Sequence, residues 1–135
     1  FIVAHRGTAL FDQVVDSLVE FNQLWASKAS ALVVAIAETE SEEGKAISHA
    51  VYDLGQAVAH FSVQAHHEGL LVHQMSGFDP EVIREFADLS PRFSAITVIA
   101  VGELGDAAGL PEGLQQGETA PRVRRPIDET VILSA

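Results

Sequence analysis

The chain has 135 residues, of which 47% are hydrophobic and 20% are charged, and this composition is typical of a globular domain with a core of its own. No apolar run approaches the roughly 20 residues of a membrane-spanning helix, and the absence of cysteine excludes disulfides, thiolate metal sites and a cysteine nucleophile. Nineteen acidic residues against eight basic ones give a net charge of −11, so we expect neither nucleic acid nor a membrane as a partner.

Strands and helices alternate in the first third of the chain. Residues 1–4 form a strand candidate, and Thr8 is a candidate N-cap for a helix that runs to about Glu20. Residues 21–29 predict a second, short helix. Residues 31–37, ALVVAIA, are a continuous apolar run with β-branched side chains, which predicts a strand buried on both faces.

The longest periodic segment follows a charged surface loop, ETESEEGK. Six apolar residues recur at spacings of 4, 3, 4, 3 and 4: Ile47, Val51, Leu54, Val58, Phe61 and Ala65. This stripe predicts a helix that ends near Glu68, with Gly69 as its C-terminal stop. Small residues beside the stripe predict a central helix that packs against neighbours on more than one side.

The segment after this helix predicts a short strand over residues 70–73 and a new helix that begins at Asp79-Pro80. Between them lies a non-helical turn of four residues: Gln74, Met75, Ser76 and Gly77. Residues 93–101 are a second apolar strand, and residues 102–117, rich in Gly, Leu and Pro, predict a loop. Strands mixed with helices and few hairpin signals predict an α/β or α+β domain whose helices cover the two apolar strands.

The turn of residues 74–77 is the first candidate for a ligand site. A flat amphipathic ring such as a flavin needs hydrogen-bond partners from a backbone that comes close, and Gly77 permits that approach. The alternative is a plain strand-to-helix connection, which these residues alone favour because such loops are common.

A group of arginines near the end of the chain is the second candidate. In an extended segment Arg122 and Arg124 project to the same side, about 7 Å apart, and two guanidinium groups at that spacing suit a phosphate. The alternative is a solvated basic patch that pairs with nearby acids, namely Glu118, Asp128 or Glu129.

No other motif indicates a reaction chemistry. The sequence contains no HExxH, no histidine pair at i, i+4 spacing, no G-x-S-x-G and no glycine-rich phosphate loop. Metal-dependent, hydrolase and nucleotide triphosphatase interpretations therefore lose support, and we expect no metal site.

Several segments, taken in order, resemble the nitroreductase family over nearly the whole chain. They are FIVAHRG, NQLWASKASALVVAIAE, YDLGQAVAHFSVQAHHEGL, QMSGFDPEVIREF and RVRRPIDETV. The resemblance implies an α+β fold in which helices cover a mixed sheet, a long central helix and an obligate homodimer. It also implies that residues 1–135 are a single nitroreductase-like domain that lacks the family's N-terminal segment with its Arg-Ser-x-Arg motif.

The resemblance implies an FMN-dependent oxidoreductase that passes hydride from NADH or NADPH through flavin to nitroaromatics, quinones or related small-molecule acceptors. The turn residues would line the flavin mainly through their backbone, with the Ser76 N–H at ring atom N5: Gln74, Met75, Ser76 and Gly77. Arg122 and Arg124 would hold the FMN phosphate. Because the flavin carries the redox chemistry, no catalytic side chain is expected. The lack of cysteine fits a reducing compartment, and we expect a cytoplasmic protein.

Two positions depart from the family pattern. Many members have proline where this chain has Gln74, and many have glutamate where it has Ser76. Together with the missing N-terminal segment, these departures support an alternative function, a flavin-binding or dimerisation domain without efficient turnover.

Overall fold

The computed structural model describes residues 1–131 and 133. The chain divides into two compact units, Phe1–Leu104 and Gly105–Ala135. The sequence predicted a single domain over residues 1–135, and this stays a prediction. Three residues of that range lie outside the described ones. Among the described helices, none is both long enough and apolar enough to cross a membrane.

The first unit is built on a four-stranded sheet. Its strands are β1 (Ile2–His5), β2 (Ala31–Glu38), β3 (Leu71–Met75) and β4 (Phe93–Gly102), in the order β1-β2-β4-β3. The two predicted apolar strands, β2 and β4, pair in the centre, where both faces of a strand are covered. The α+β class is thus confirmed.

The direction of the strands corrects one expectation. The resemblance implied a mixed sheet, but every pairing among the described strands is antiparallel. The reason is the strand order. The strands β2 and β3 are parallel to each other, but they do not pair, because β4 lies between them and is antiparallel to both.

Three helices lie on one face of this sheet: α1 (Ala9–Ser17), α2 (Glu20–Ala26) and α4 (Pro80–Phe86). Their buried side chains form one cluster with alternate residues of the central strands, in which Val14 and Ile83 pack with Leu32 and Val98. The predicted caps are confirmed, because Thr8 Oγ1 accepts from the Phe11 N–H at 3.2 Å and an aspartate caps α4.

The long helix α3 (Ala50–His67) covers the other face. Leu54 and Val58 pack with residues of β2 and β4 in a second buried cluster. The predicted C-terminal stop is confirmed, since Gly69 has a φ of 81°, a conformation that glycine adopts without strain. The helix begins at Ala50 rather than near Ile47, whose N–H donates instead to the Thr39 carbonyl.

The junction between α1 and α2 is extended, which is why α1 stops at Ser17 rather than near Glu20. Leu18 in this junction forms an isolated β-bridge with Phe78, and the Asp79 N–H donates to the Ser17 carbonyl at 2.7 Å. These contacts hold the segment after β3 beside the α1–α2 junction.

The second unit contains one α-helix, α5 (Glu112–Thr119), and the short 3-10 turns Ala107–Gly109 and Ile127–Glu129 in its described part. The prediction of a loop over residues 102–117 was therefore wrong. Several glycines lower the helix propensity of this stretch, and no residue of α5 is buried, so no apolar stripe indicated the helix. The Gln115 side chain secures its start by donating to the Leu110 carbonyl at 2.7 Å.

Candidate functional site

The predicted turn of residues 74–77 is shorter in the structure, because β3 continues through its first two residues. Gln74 and Met75 pair with residues of β4 as the last two positions of the strand. Ser76 and Gly77 begin the link to α4. The candidate site therefore combines a strand end with a short non-helical segment.

Met75 belongs to the protein core. Its side chain is only 4% exposed and packs in the cluster beneath α1, α2 and α4. Its carbonyl accepts from Thr97 Oγ1 at 2.9 Å. Met75 consequently anchors the strand end and has no side-chain surface to offer a ligand.

The side chain of Gln74 is tied to the long helix. Its Nε2 donates to Ser62 Oγ at 3.1 Å, and Ser62 in turn donates to the Val58 carbonyl within α3 at 2.8 Å. The residue is exposed, but its amide is already engaged. Gln74 thus connects β3 to α3.

Ser76 carries the main-chain donor that the sequence singled out. The residue is exposed. Its N–H and that of Gly77 donate to no acceptor in the described part of the chain, whereas the Ser76 carbonyl accepts from the Phe78 N–H at 3.1 Å. An exposed main-chain N–H without a protein acceptor is bonded to water, which the polar edge of a ligand can replace.

The sequence suggested that Gly77 leaves room for a ligand, but in the structure it leaves room for side chains of the protein itself. A Cβ built there would lie 2.7 Å from Asn22 Nδ2 and 2.9 Å from Val19 Cγ2, distances that real Cβ atoms essentially never show. The space beside Gly77 is filled by the chain's own helix α2. The glycine therefore permits a close approach of two protein segments, whether or not a ligand is present.

Asn22 is the site residue that the sequence did not indicate. Its Nδ2 donates to the Gly77 carbonyl at 2.9 Å, and the Val19 N–H donates to the same oxygen at 3.0 Å. An asparagine in a short helix carries no pattern that points to a partner 55 residues away. Only the assembled fold shows this contact.

The candidate phosphate residues lie in the second unit. Arg122 and Arg124 are exposed in an irregular segment, and Arg124 Nη1 donates to the neighbouring Val123 carbonyl at 3.1 Å. In the described part of the chain neither arginine forms an ion pair with an acidic side chain. Their exposure fits a solvated basic patch as well as a phosphate site, so the phosphate role stays a prediction.

Two shallow grooves of the described surface lie away from residues 74–77. One shallow groove between α1 and α4 is lined by Gln13, Asp16, Val82, Glu85 and Phe86, and a second lies between β2 and α3. The pKa of Glu43 is lowered by a hydrogen bond from the Ser41 hydroxyl, but this carboxyl is in the exposed loop after β2. The candidate site thus rests on main-chain donors rather than on a cleft.

Comparison with known proteins gives one match to a whole protein of similar length. No protein-family model matches the chain. A Mycolicibacterium smegmatis protein, described as an uncharacterized 15.4 kDa protein in the ask 5′ region, is 30% identical over 136 residues. The match covers 96% of this chain and 91% of that protein.

Three solved structures are similar over 96% of this chain. One, described as an oxidoreductase containing FMN, is 31% identical, has a TM-score of 0.89 and is covered over 67% of its own chain. A nitroreductase family protein from Clostridium difficile 630 is 20% identical, with a TM-score of 0.66 and 70% coverage. A nitroreductase family protein from Streptococcus pneumoniae TIGR4 is 16% identical, with a TM-score of 0.69 and 76% coverage. The last two show a common fold.

Proposed function

The chain belongs to the nitroreductase family, and from this premise we propose that it is a flavin-dependent oxidoreductase with FMN as its cofactor. The observation that carries the proposal is the pair of main-chain donors at exposed Ser76 and half-buried Gly77, which have no acceptor in the described part of the chain. The similar structure at 31% identity is described as containing FMN, which supports the same cofactor for this chain.

FMN supplies the redox chemistry when bound, taking hydride from NADH or NADPH and delivering electrons to nitroaromatics, quinones or related small-molecule acceptors. The role of this chain is to bind and orient. The N–H groups of Ser76 and Gly77 donate to the polar edge of the ring, and no reorganisation is needed because the main chain is already fixed. Gln74 and Met75 form the end of β3, and they contribute by holding the main chain from which these donors extend.

Arg122 and Arg124 are proposed to hold the phosphate of FMN. Both guanidinium groups are exposed and make no ion pair with the described acids. A guanidinium binds phosphate oxygens through paired, charge-assisted hydrogen bonds. On a chain of net charge −11, such a basic focus suits a small anion.

A second copy of the chain is the proposed partner, with α3 as the contact. The helix buries one face against the sheet, while its outer face presents four apolar or small residues at spacings of 3, 4 and 4: Tyr52, Gly55, Ala59 and Val63. Tyr52 is 66% exposed and Val63 is 70% exposed. The small residues allow two helices to approach closely, so this face fits a homodimer in which α3 is covered on both sides.

The test is to titrate the purified chain with FMN and to follow NADH and NADPH oxidation with a nitroaromatic and a quinone. We expect a yellow protein with one FMN per subunit, and donor oxidation that depends on both FMN and an acceptor. A chain that leaves the fluorescence and absorbance of FMN unchanged would contradict the proposal.

A flavin-binding or dimerisation domain without efficient turnover is the second candidate. The observation that favours it is that neither shallow groove described above includes residues 74–77. The same titration separates the two functions. Bound FMN with no acceptor-dependent oxidation of either nicotinamide would select this second candidate.

A further inference from the structure

Asn22 and Val19 together fix the carbonyl of Gly77. This oxygen accepts from Asn22 Nδ2 at 2.9 Å and from the Val19 N–H at 3.0 Å, so both of its lone pairs are used. The peptide plane between Gly77 and Phe78 is therefore held from helix α2, which is remote in sequence but adjacent in the fold.

The preceding peptide plane is held as well. The Ser76 carbonyl accepts from the Phe78 N–H at 3.1 Å, and the N–H of this peptide is that of Gly77. Because a peptide unit is planar, fixing its carbonyl also fixes the direction of its N–H. The two contacts at the Gly77 and Ser76 carbonyls therefore preset the geometry of the turn that carries the free donors.

We propose that Asn22 is a positioning residue: it holds the Gly77 carbonyl and thereby the Phe78 N–H, which fixes the Ser76 carbonyl and keeps the Gly77 N–H of the same peptide directed at the cofactor. The Ser76 N–H is held separately, because it shares a peptide with the Met75 carbonyl that accepts from Thr97 Oγ1. The inference rests on the proposed function. Main-chain donors aimed at a ring stabilise the negative charge that reduction places on it, and they do so best when they are preorganised. Loss of the Asn22 amide is thus expected to weaken FMN binding and to lower the reduction potential of the bound flavin.

Gln23 provides a matched control on the same helix. Its Nε2 donates to the Leu18 carbonyl at 2.7 Å, and it has the same partly buried environment as Asn22. The two amides perform the same kind of structural bond, but only that of Asn22 contacts the turn after β3. Replacing each in turn separates a general effect on α2 from an effect on the donors.

The experiment compares the full chain with N22L and Q23M, which remove each amide while keeping side-chain volume, and adds N22S as a smaller variant that avoids crowding. We expect N22L and N22S to weaken FMN affinity about tenfold and to lower the flavin potential. Q23M is expected to change neither property, although it lowers thermal stability. Equal changes in the Asn22 and Gln23 variants would overturn the positioning role.

Amide hydrogen exchange without FMN separates this inference from the proposed function. In the free chain, N22L and N22S should speed the exchange of the Phe78 N–H, which donates to the Ser76 carbonyl, and should shift the Gly77 amide resonance more than Q23M does. If the wild-type chain fails to bind FMN, the proposed function fails, yet this measurement still decides whether Asn22 orders the turn. Unchanged Phe78 exchange and an unchanged Gly77 shift in both Asn22 variants would refute the inference.

Discussion

Single side chains of α2 fill the space beside Gly77, and this crowding governs what the position tolerates. Asn22 Nδ2 and Val19 Cγ2 lie within 3 Å of where a Cβ would be. Val19 is the N-cap of α2 and Asn22 lies in its first turn, and Asn22 also donates to the Gly77 carbonyl, so a methyl group at residue 77 would have to displace both side chains. A glycine at this position is thus a structural need of the apoprotein.

We expect Gly77→Ala to lower the free energy of unfolding by about 1–3 kcal/mol, because the added methyl group overpacks the turn against α2. Urea denaturation measures the loss. Gly105→Ala is the control, since a Cβ at that position meets nothing within 4 Å and its φ is not positive, and it should stay within about 0.5 kcal/mol of wild type. Equal stability of the two variants would contradict the crowding.

Arg122→Ala and Arg124→Ala should each weaken FMN binding about tenfold, because a charge-assisted hydrogen bond to phosphate is lost. Affinity is measured by fluorescence titration at low and high salt, and the difference from wild type should shrink as salt rises. Arg125→Ala is the neighbouring control and should bind FMN as wild type does. Unchanged affinity in both test variants would refute the phosphate role.

At the scale of elements, the start of α4 secures the end of the turn. The Asp79 carboxylate accepts from the Glu81 N–H at 2.9 Å, and the Asp79 N–H donates to the Ser17 carbonyl at 2.7 Å. One residue therefore both begins a helix and joins that helix to the α1–α2 junction. The order of strand, turn and capped helix is kept by these main-chain and cap contacts.

Asp79→Ala should cost about 1 kcal/mol of stability, because the first turn of α4 loses its side-chain acceptor. Asp79→Asn keeps an acceptor oxygen and should lose only a small part of that energy. The two variants are compared by thermal and urea denaturation. If asparagine and alanine destabilise the protein equally, capping is not the role of this side chain.

At the scale of the whole molecule, the outer face of α3 is the surface that a second copy would cover. Exposed Tyr52 and Val63 flank the small residues Gly55 and Ala59 along one side of the helix. The sequence predicted packing of α3 on more than one side, and within the first unit the buried cluster of α3 joins it to the sheet. The dimer stays a prediction that this exposed face supports.

Val63→Glu should convert the dimer to a monomer, because it places a charge in the proposed apolar contact. His60→Glu is the control, as His60 is also exposed on α3 but lies on its polar side. Light scattering after gel filtration gives the mass of each variant. A dimeric Val63→Glu protein, or a wild-type monomer, would contradict the proposed interface.

Patterns within a single element predicted most of the first unit. The apolar runs of β2 and β4, the stripe of α3 and the Asp79-Pro80 start of α4 each depend on neighbours in sequence, so they could be recognised without the fold. Their confirmation reflects how strongly local periodicity and capping specify these elements.

Contacts between distant segments could not be predicted in this way. Asn22 and Gly77 meet only after α1, α2 and β3 have assembled, and neither residue type signals the other. The antiparallel directions of the sheet likewise depend on β4 entering between β2 and β3. The helix α5 was missed because none of its residues is buried, so it lacks the apolar stripe that would reveal it.

The crowding at Gly77 also affects how function should be inferred from related sequences. Because the glycine lets the turn after β3 pack against Val19 and Asn22 without a cofactor, a descendant that had lost its cofactor would still be selected to keep it. Presence of this glycine would then be a poor marker of flavin use across such lineages. If Arg122 and Arg124 bind phosphate as proposed, their loss would be a more informative sign that a lineage had changed its chemistry.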